Sequence, residues 1–182
     1  MGKTTVAELL ADRMRGAHIN LSDLAENEGL ITGFDEIRGT SIVDLEGMKR
    51  RLARIIDAGS GAMIFDGHYA PEVIPREVDS MTFVLRRAPW KLKEELKARG
   101  YPDEKVRENV EAELLDVCLV EAIESQGAER VCEVDTTGKT PQDVVDEVMS
   151  TIRGSKPCRR GIVDWLGHPE SEGLLGGGAG CT

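Results

Sequence analysis

No stretch of the 182-residue chain approaches the roughly 20 apolar residues of a membrane span, and no basic segment with an apolar core opens it. Neither a transmembrane helix nor a secretory leader is expected, which places the chain in the cytoplasm with no membrane partner. No C-x-x-C pair links Cys118, Cys132, Cys158 and Cys181, and the 3 histidines are scattered. That excludes zinc-site and disulfide-framework readings and leaves reduced thiols. Positive charge is also short: 23 basic residues against 33 acidic ones give a net charge of −10 and a pI near 4.9. This argues against broad affinity for nucleic acid or anionic membranes, while leaving room for a local basic pocket or a basic partner. No internal repeat is visible. What is there, with 40% apolar residues, is one soluble domain large enough to bury a core.

Gly2-Lys3-Thr4-Thr5 matches the second half of the phosphate-binding loop G-x-x-x-x-G-K-[ST]. The chemistry is specific to these residue types. Glycine lets the backbone approach a phosphate, the lysine ammonium reaches β- and γ-oxygens, and the threonine hydroxyl ligates Mg²⁺ at the positive end of a helix. Val6, Leu9, Leu10 and Met14 recur at helical spacing behind it. The same residues also read as an ordinary charged segment before an amphipathic helix. Only Met1 precedes Gly2, so the usual strand and earlier glycine of the loop are not in this sequence. A misassigned or truncated N-terminus is the expectation; upstream in-frame codons for an apolar strand and Gly-x-x-Gly would support it, and an immediate in-frame stop would refute it.

Beyond the first helix, strand-like and helix-like segments alternate. Residues 17–21 read as a short strand, with Ser22 or Asp23 capping a small helix to Glu28, and 30–43 read as irregular and charged. A helix over 45–58 is marked by Leu45, Met48, Leu52, Ile55 and Ile56. The continuous apolar runs 62–65 and 81–85 suit parallel strands covered on both faces, and they end in Asp66-Gly67-His68 and Arg86-Arg87. Helices follow over 89–99 and, as one long element, over 103–126; a last strand spans 131–134, and a helix runs from Pro141 to about Ile152. This order predicts a three-layer α/β/α sandwich on a parallel sheet. From Gly154 onward the chain is Gly-rich, and it reads as a flexible tail over 154–182 with one short docking segment at 162–166. Strand ends are where an open α/β sheet presents its ligands, so Asp66 is a candidate Mg²⁺ carboxylate and His68 a candidate for orienting water or phosphate. Taken alone, Asp66 equally reads as a turn residue and His68 as a structural hydrogen-bonding group.

Many short blocks, in order and spacing, resemble one family. They are Gly2-Lys3-Thr4-Thr5, Asn20-Leu21-Ser22-Asp23-Leu24-Ala25, Gly33-Phe34-Asp35-Glu36, Ile42-Val43-Asp44, Asp66-Gly67-His68, Phe83-Val84-Leu85-Arg86, Arg99-Gly100-Tyr101, Glu104-Lys105, the stretch 108–113 and Asp164-Trp165-Leu166. Together they are similar to the archaeal adenylate kinases, relatives of the nuclear adenylate kinase isoenzyme 6, which is also a ribosome-biogenesis ATPase. The resemblance covers residues 2–153 and the 164–166 segment. It implies a P-loop NTPase fold of the nucleoside monophosphate kinase type over 1–153, with an AMP-closing segment at about 20–43 and a lid at about 98–108. It implies a phosphotransferase moving the γ-phosphate of ATP to AMP, with ATPase activity, using ATP and Mg²⁺. It also implies work in small ribosomal subunit maturation, with a small-subunit ribosomal protein and the pre-ribosome as partners. By position, Gly2, Lys3, Thr4 and Thr5 would hold ATP phosphates, Thr4 and Asp66 the metal. Arg99 would come from the lid to the phosphates, Lys139 would lie against adenine, and Asp66 and His68 match an Asp-x-His motif linked to hydrolysis. Arg38 and Arg86 are further candidates for AMP or substrate phosphate. Two alternatives stay open: an assembly factor using ATP hydrolysis as a switch, and an inactive N-terminally truncated fragment.

Overall fold

Helix α1 (Lys3–Met14) turns Val6, Ala7, Leu10 and Ala11 inward, the face set by their three- and four-residue spacing. The structure, a computed structural model, describes residues 2–36 and 39–174. After α1 come β1 (Ala17–Asn20), α2 (Leu21–Asn27), β2 (Ile31–Asp35), β3 (Thr40–Val43), α3 (Leu45–Ala58), β4 (Met63–Asp66) and the short α4 (Ala70–Val73). The second half is β5 (Thr82–Arg86), α5 (Pro89–Ala98), α6 (Asp103–Leu114), α7 (Val117–Gln126), β6 (Val131–Asp135) and α8 (Pro141–Ile152).

Strands β1 and β4 pair in parallel with Asn20 opposite Asp66, and β5 pairs in parallel with β6, with Arg86 opposite Asp135. On one face α1 and α8 cover both pairs: Val6 and Leu10 pack with Val144, Val145, Val148 and Met149, against Ile64 of β4, Phe83 and Leu85 of β5 and Val134 of β6. On the other face Leu119 and Ala122 of α7 cover Val84 and Val131. Beside them Leu21, Met48, Leu52 and Val73 cover Ile19 and Phe65. The architecture is the expected three-layer α/β/α arrangement. Each fully buried leucine contributes roughly 1.5–3 kcal/mol of transfer free energy. No ladder joins β4 to β5 among the described residues, so the parallel layer consists of two halves held side by side by α1 and α8. Each half presents an edge at that seam without a ladder partner among the described residues.

Several readings of the sequence need correction. Residues 30–43 are an antiparallel hairpin, β2–β3, not an irregular segment. Its large apolar side chains, Ile31, Phe34 and Ile42, face solvent, so the strands lack the buried apolar face by which a strand is recognised. The helix expected over 103–126 is two helices, broken where Asp116 adopts φ 56° in the left-handed region. Arg86 donates to Asp116 Oδ1 there, so a tertiary ion pair supports a conformation that helical periodicity does not reveal. Helix α2 is capped not by Ser22 or Asp23 but by Asn20, whose Oδ1 accepts from Ser22 N at 2.9 Å and Asp23 N at 3.1 Å. Finally, Cys132 and Cys158 form a disulfide, with Cα atoms 5.1 Å apart. They are 26 positions apart in sequence, so spacing alone gave no sign of the pairing.

That disulfide belongs to a strap. For residues 154–174 the flexible-tail reading gives way to a packed segment, whereas 175–182 lie outside the described residues. Glu133 N donates to Arg159 O at 2.9 Å, tying the strap to β6. Trp165 is buried among Ala88, Leu92, Leu96, Val106, Val110 and Leu114 of the α5–α6 unit, and Trp90 meets it edge-on at 5.5 Å. The expected docking segment is therefore real but longer than 162–166. The Trp165 ring and a half-buried Val163 supply the apolar area that the glycines around them cannot.

Candidate active site at the helix α1 N-terminus

Gly2 precedes α1 with φ 69°, a left-handed conformation costly to any residue with a Cβ, and it leaves the first turn of the helix open. No side chain caps that turn and no acidic residue lies in it. By contrast α2, α3 and α8 are capped by Asn20, by Asp44 and by a Thr140–Asp143 capping box. The amides of Lys3, Thr4 and Thr5 thus keep their capacity to donate, and the positive end of the helix dipole stands uncompensated.

Parallel pairing brings the tip of β4 to this turn. Thr4 Oγ1 donates to Asp66 Oδ2 at 2.7 Å, and Asn20 Nδ2 donates to the same oxygen at 3.2 Å. Asp66 is buried, at 7% exposure, so its carboxylate is held in one orientation. Asn20 works in both directions: its oxygen caps α2 while its amide nitrogen fixes Asp66. A Cβ at Gly67 would lie 3.0 Å from the Leu21 side chain, which would have to give by a few tenths of an ångström, so glycine suits this turn.

Lys3 Nζ lies 3.0 Å from His68 Nδ1 and 3.1 Å from Nε2. A neutral imidazole has one acceptor nitrogen, so one of these contacts is a hydrogen bond from the ammonium. Burial pushes the Lys3 ammonium below its usual range, and the Asp66 charge pulls the other way. Burial also pushes His68 down, helped by the Lys3 charge and more weakly by Lys105, against the pull of Asp66. His68 is therefore neutral at neutral pH and suited to accept from Lys3.

A consequence for stability has a definite sign. An unfolded chain takes up a proton at His68 near pH 6.5, whereas the folded chain resists it to lower pH. Stability is retained above pH 6.5 and falls as the pH drops from there through the lower folded-state value. Replacing His68 by Gln removes this contribution, so the melting temperature should fall less steeply between about pH 7 and pH 5 than in the parent chain. The effect is small because the ring sits at the rim. Thermal unfolding of both proteins across that range checks it.

The other candidates lie apart from this group. Arg99 ends α5 and lines a cleft of about 540 Å³ together with Tyr101, Lys105 and Glu108 of the α5–α6 region and Glu36 and Gly39 of the hairpin. Lys139 follows β6 and donates to Glu147 Oε2 at 2.7 Å. Arg38 lies outside the described residues. Arg86 is not a substrate ligand: it is 1% exposed and surrounded by Glu113 at 2.8 Å, by Asp116 and by Glu133. Burial opposes its charge, but those carboxylates outweigh the penalty and raise its pKa. The carboxylates exceed the cation in number, and N–H groups take up the remainder. Trp165 Nε1 at 2.9 Å and Arg87 N at 3.2 Å donate to Glu113 Oε1, while Gly161 N and Ile162 N donate to Glu133 Oε2.

The sequence reading missed Asn20 as a site residue, and it missed His18, whose buried Nε2 lies 3.8 Å from Asp66 Oδ2 without a hydrogen bond. A signal existed: both stand on β1, the strand expected to run parallel to β4, and Asn20 falls level with Asp66.

An uncapped helix start with a glycine, a lysine and a threonine facing a strand-end carboxylate defines the P-loop nucleotide-binding class, and the AAA domain family model matches residues 1–116. Relatives narrow this further. The chain is 42% identical to a protein of Thermococcus onnurineus over 90% of its own length and 85% of the relative's, and 43% identical to one of Methanothermobacter thermautotrophicus over 92% of each. A Methanosarcina barkeri protein is 36% identical over 91% of this chain and 92% of its own. All three bear the name "Putative adenylate kinase". This chain belongs to that archaeal adenylate kinase family of P-loop nucleotide-binding proteins. No helix among the described residues is long and apolar enough to cross a membrane.

Proposed function

We propose that the chain is a phosphotransferase that moves the γ-phosphate of ATP to AMP and also hydrolyses ATP. The observation that carries this reading is the 2.7 Å contact of Thr4 with Asp66 beside the Lys3–His68 pair, all at an uncapped helix N-terminus. The donors suit Mg²⁺, a hard cation that takes one or two protein oxygens and leaves its other positions to water and phosphate. No cluster of three or more metal-binding side chains occurs among the described residues, and this chemistry needs none. Thr4 and Asp66 would hold the ion, which when bound neutralises charge on the β- and γ-oxygens.

Gly2, Lys3, Thr4 and Thr5 then bind the ATP phosphates through first-turn amides and the lysine ammonium. Arg99 reaches them from the lid when the cleft closes, and AMP lies against residues 20–43. Lys139 lies against adenine, exchanging its Glu147 partner. Phosphoryl transfer asks for placement and charge neutralisation rather than a strong base, so closure of the 540 Å³ cleft matters chiefly by excluding water.

His68 favours a second reading. A neutral imidazole beside Lys3 can orient a water as well as a phosphate oxygen, which suits an ATPase switch in small-subunit maturation with a small-subunit ribosomal protein and the pre-ribosome as partners. A coupled assay for ADP, run with ATP plus AMP and with ATP alone, separates the two. The phosphotransferase reading expects ADP formation to depend on AMP; equal rates with and without AMP would favour the switch, and none in either arm would indicate an inactive fragment.

A further inference from the structure

Lys105 stands in the first turn of α6, where the helix dipole disfavours a cation and where its neighbours Asp103 and Glu104 are acids. It lines the cleft between hairpin and lid. Among the described residues no carboxylate comes within ion-pairing distance of it, although nearby cations are paired: Lys97 with Asp103 at 3.2 Å and Arg107 with Glu111 at 3.8 Å. Its Nζ rests instead 5.4 Å from the centre of the Tyr101 ring. One ammonium on the lid thus shares the cleft with Arg99, in a position that helix stability alone would not select.

We propose that Lys105 is a second phosphate-contacting cation of the lid, parked on the face of Tyr101 until nucleotides fill the cleft and then transferred to the phosphoryl oxygens. The proposal rests on the phosphotransferase reading above. A cation–π contact at an exposed site is worth only about 0.5–1 kcal/mol, so a charge-assisted bond to phosphate readily replaces it. A lysine suits the movement: its charge is compact and its four-carbon stem is flexible, so it follows a moving phosphoryl group without bidentate geometry. Together with Lys3 and Arg99 it would add to the positive charge that neutralises the phosphates.

The test uses the full chain with Lys105→Met and Lys105→Arg. In the coupled ADP assay, Lys105→Met should lower kcat by about tenfold or more with smaller changes in KM, and Lys105→Arg should recover most of that loss. The melting temperature of Lys105→Met should change little, since no ion pair is lost and the exposed cation–π contact is weak. A Lys105→Met kcat within twofold of the parent overturns the proposal. A parent chain that makes no ADP overturns the phosphotransferase reading and this proposal with it; an active parent beside an equally active variant overturns this proposal alone.

Discussion

Lys3→Met should reduce phosphoryl transfer by about 10³-fold while leaving the fold intact, because preorganised positive charge at the transferring group is the main resource of this chemistry. The structure separates the two effects. Lys3 Nζ contacts His68 and senses the Asp66 charge, but burial is the larger influence on it and disfavours its charged form. Removing it takes away a partly desolvated cation that nothing in the core requires. The Thr4–Asp66 contact and the α1 packing through Val6 and Leu10 do not involve the ammonium. Steady-state turnover should therefore collapse while the melting temperature holds or rises. Residual turnover within tenfold of the parent would mean that the phosphates lie elsewhere.

Arg86→Met should be the most destabilising single change outside the apolar core, by about 3–5 kcal/mol, the usual consequence of leaving buried charges without their partner. Glu113 and Glu133 are both buried, at 7% and 4% exposure, and Arg86 bonds to both. The same guanidinium reaches Asp116, so its loss also releases the left-handed residue that separates α6 from α7. For a chain of this size the expected drop in melting temperature is about 6–20 °C. Burial pushes the Glu113 carboxyl up even with Arg86 in place, so in the variant it should take up a proton more readily still. Thermal unfolding followed by circular dichroism measures the loss directly, and a shift of less than about 2 °C would show that the network is not load-sharing in this way.

These two residues mark what the sequence could and could not reveal. Lys3 was legible because a P-loop is a local object: a glycine, a lysine, a threonine and a helix in one stretch. Asp66 was legible because a continuous apolar run ending in an acid points to a strand tip. Helices α3 and α8 kept their predicted bounds since each carries a clear apolar face and a cap at its start, Asp44 and Thr140. Arg86 also ends an apolar run and was read, by the same logic, as a possible phosphate ligand. It is instead the hub of a buried network because its carboxylates come from α6, from the turn after it and from β6, at separations of 27, 30 and 47 residues. No local pattern encodes such a meeting.

The strap was hidden for a related reason. Residues 154–174 are rich in glycine and polar groups, and their order comes from partners elsewhere: Cys132, Glu133, Glu113 and Trp90. Composition reported low apolar content correctly; it could not report that the available rings meet a prepared surface on α5 and α6. The hairpin failed in the opposite sense, since its apolar residues were visible but are exposed.

The central claim is that Lys3, Thr4 and Asp66 together form a site for a magnesium-bearing triphosphate. Calorimetric titration of the chain with ATP, once in Mg²⁺ and once in EDTA, tests it most directly. Saturable binding that is clearly tighter with Mg²⁺, and that loses this difference in Asp66→Asn, is the predicted result. Equal affinity with and without the metal, or no binding in either, would contradict it.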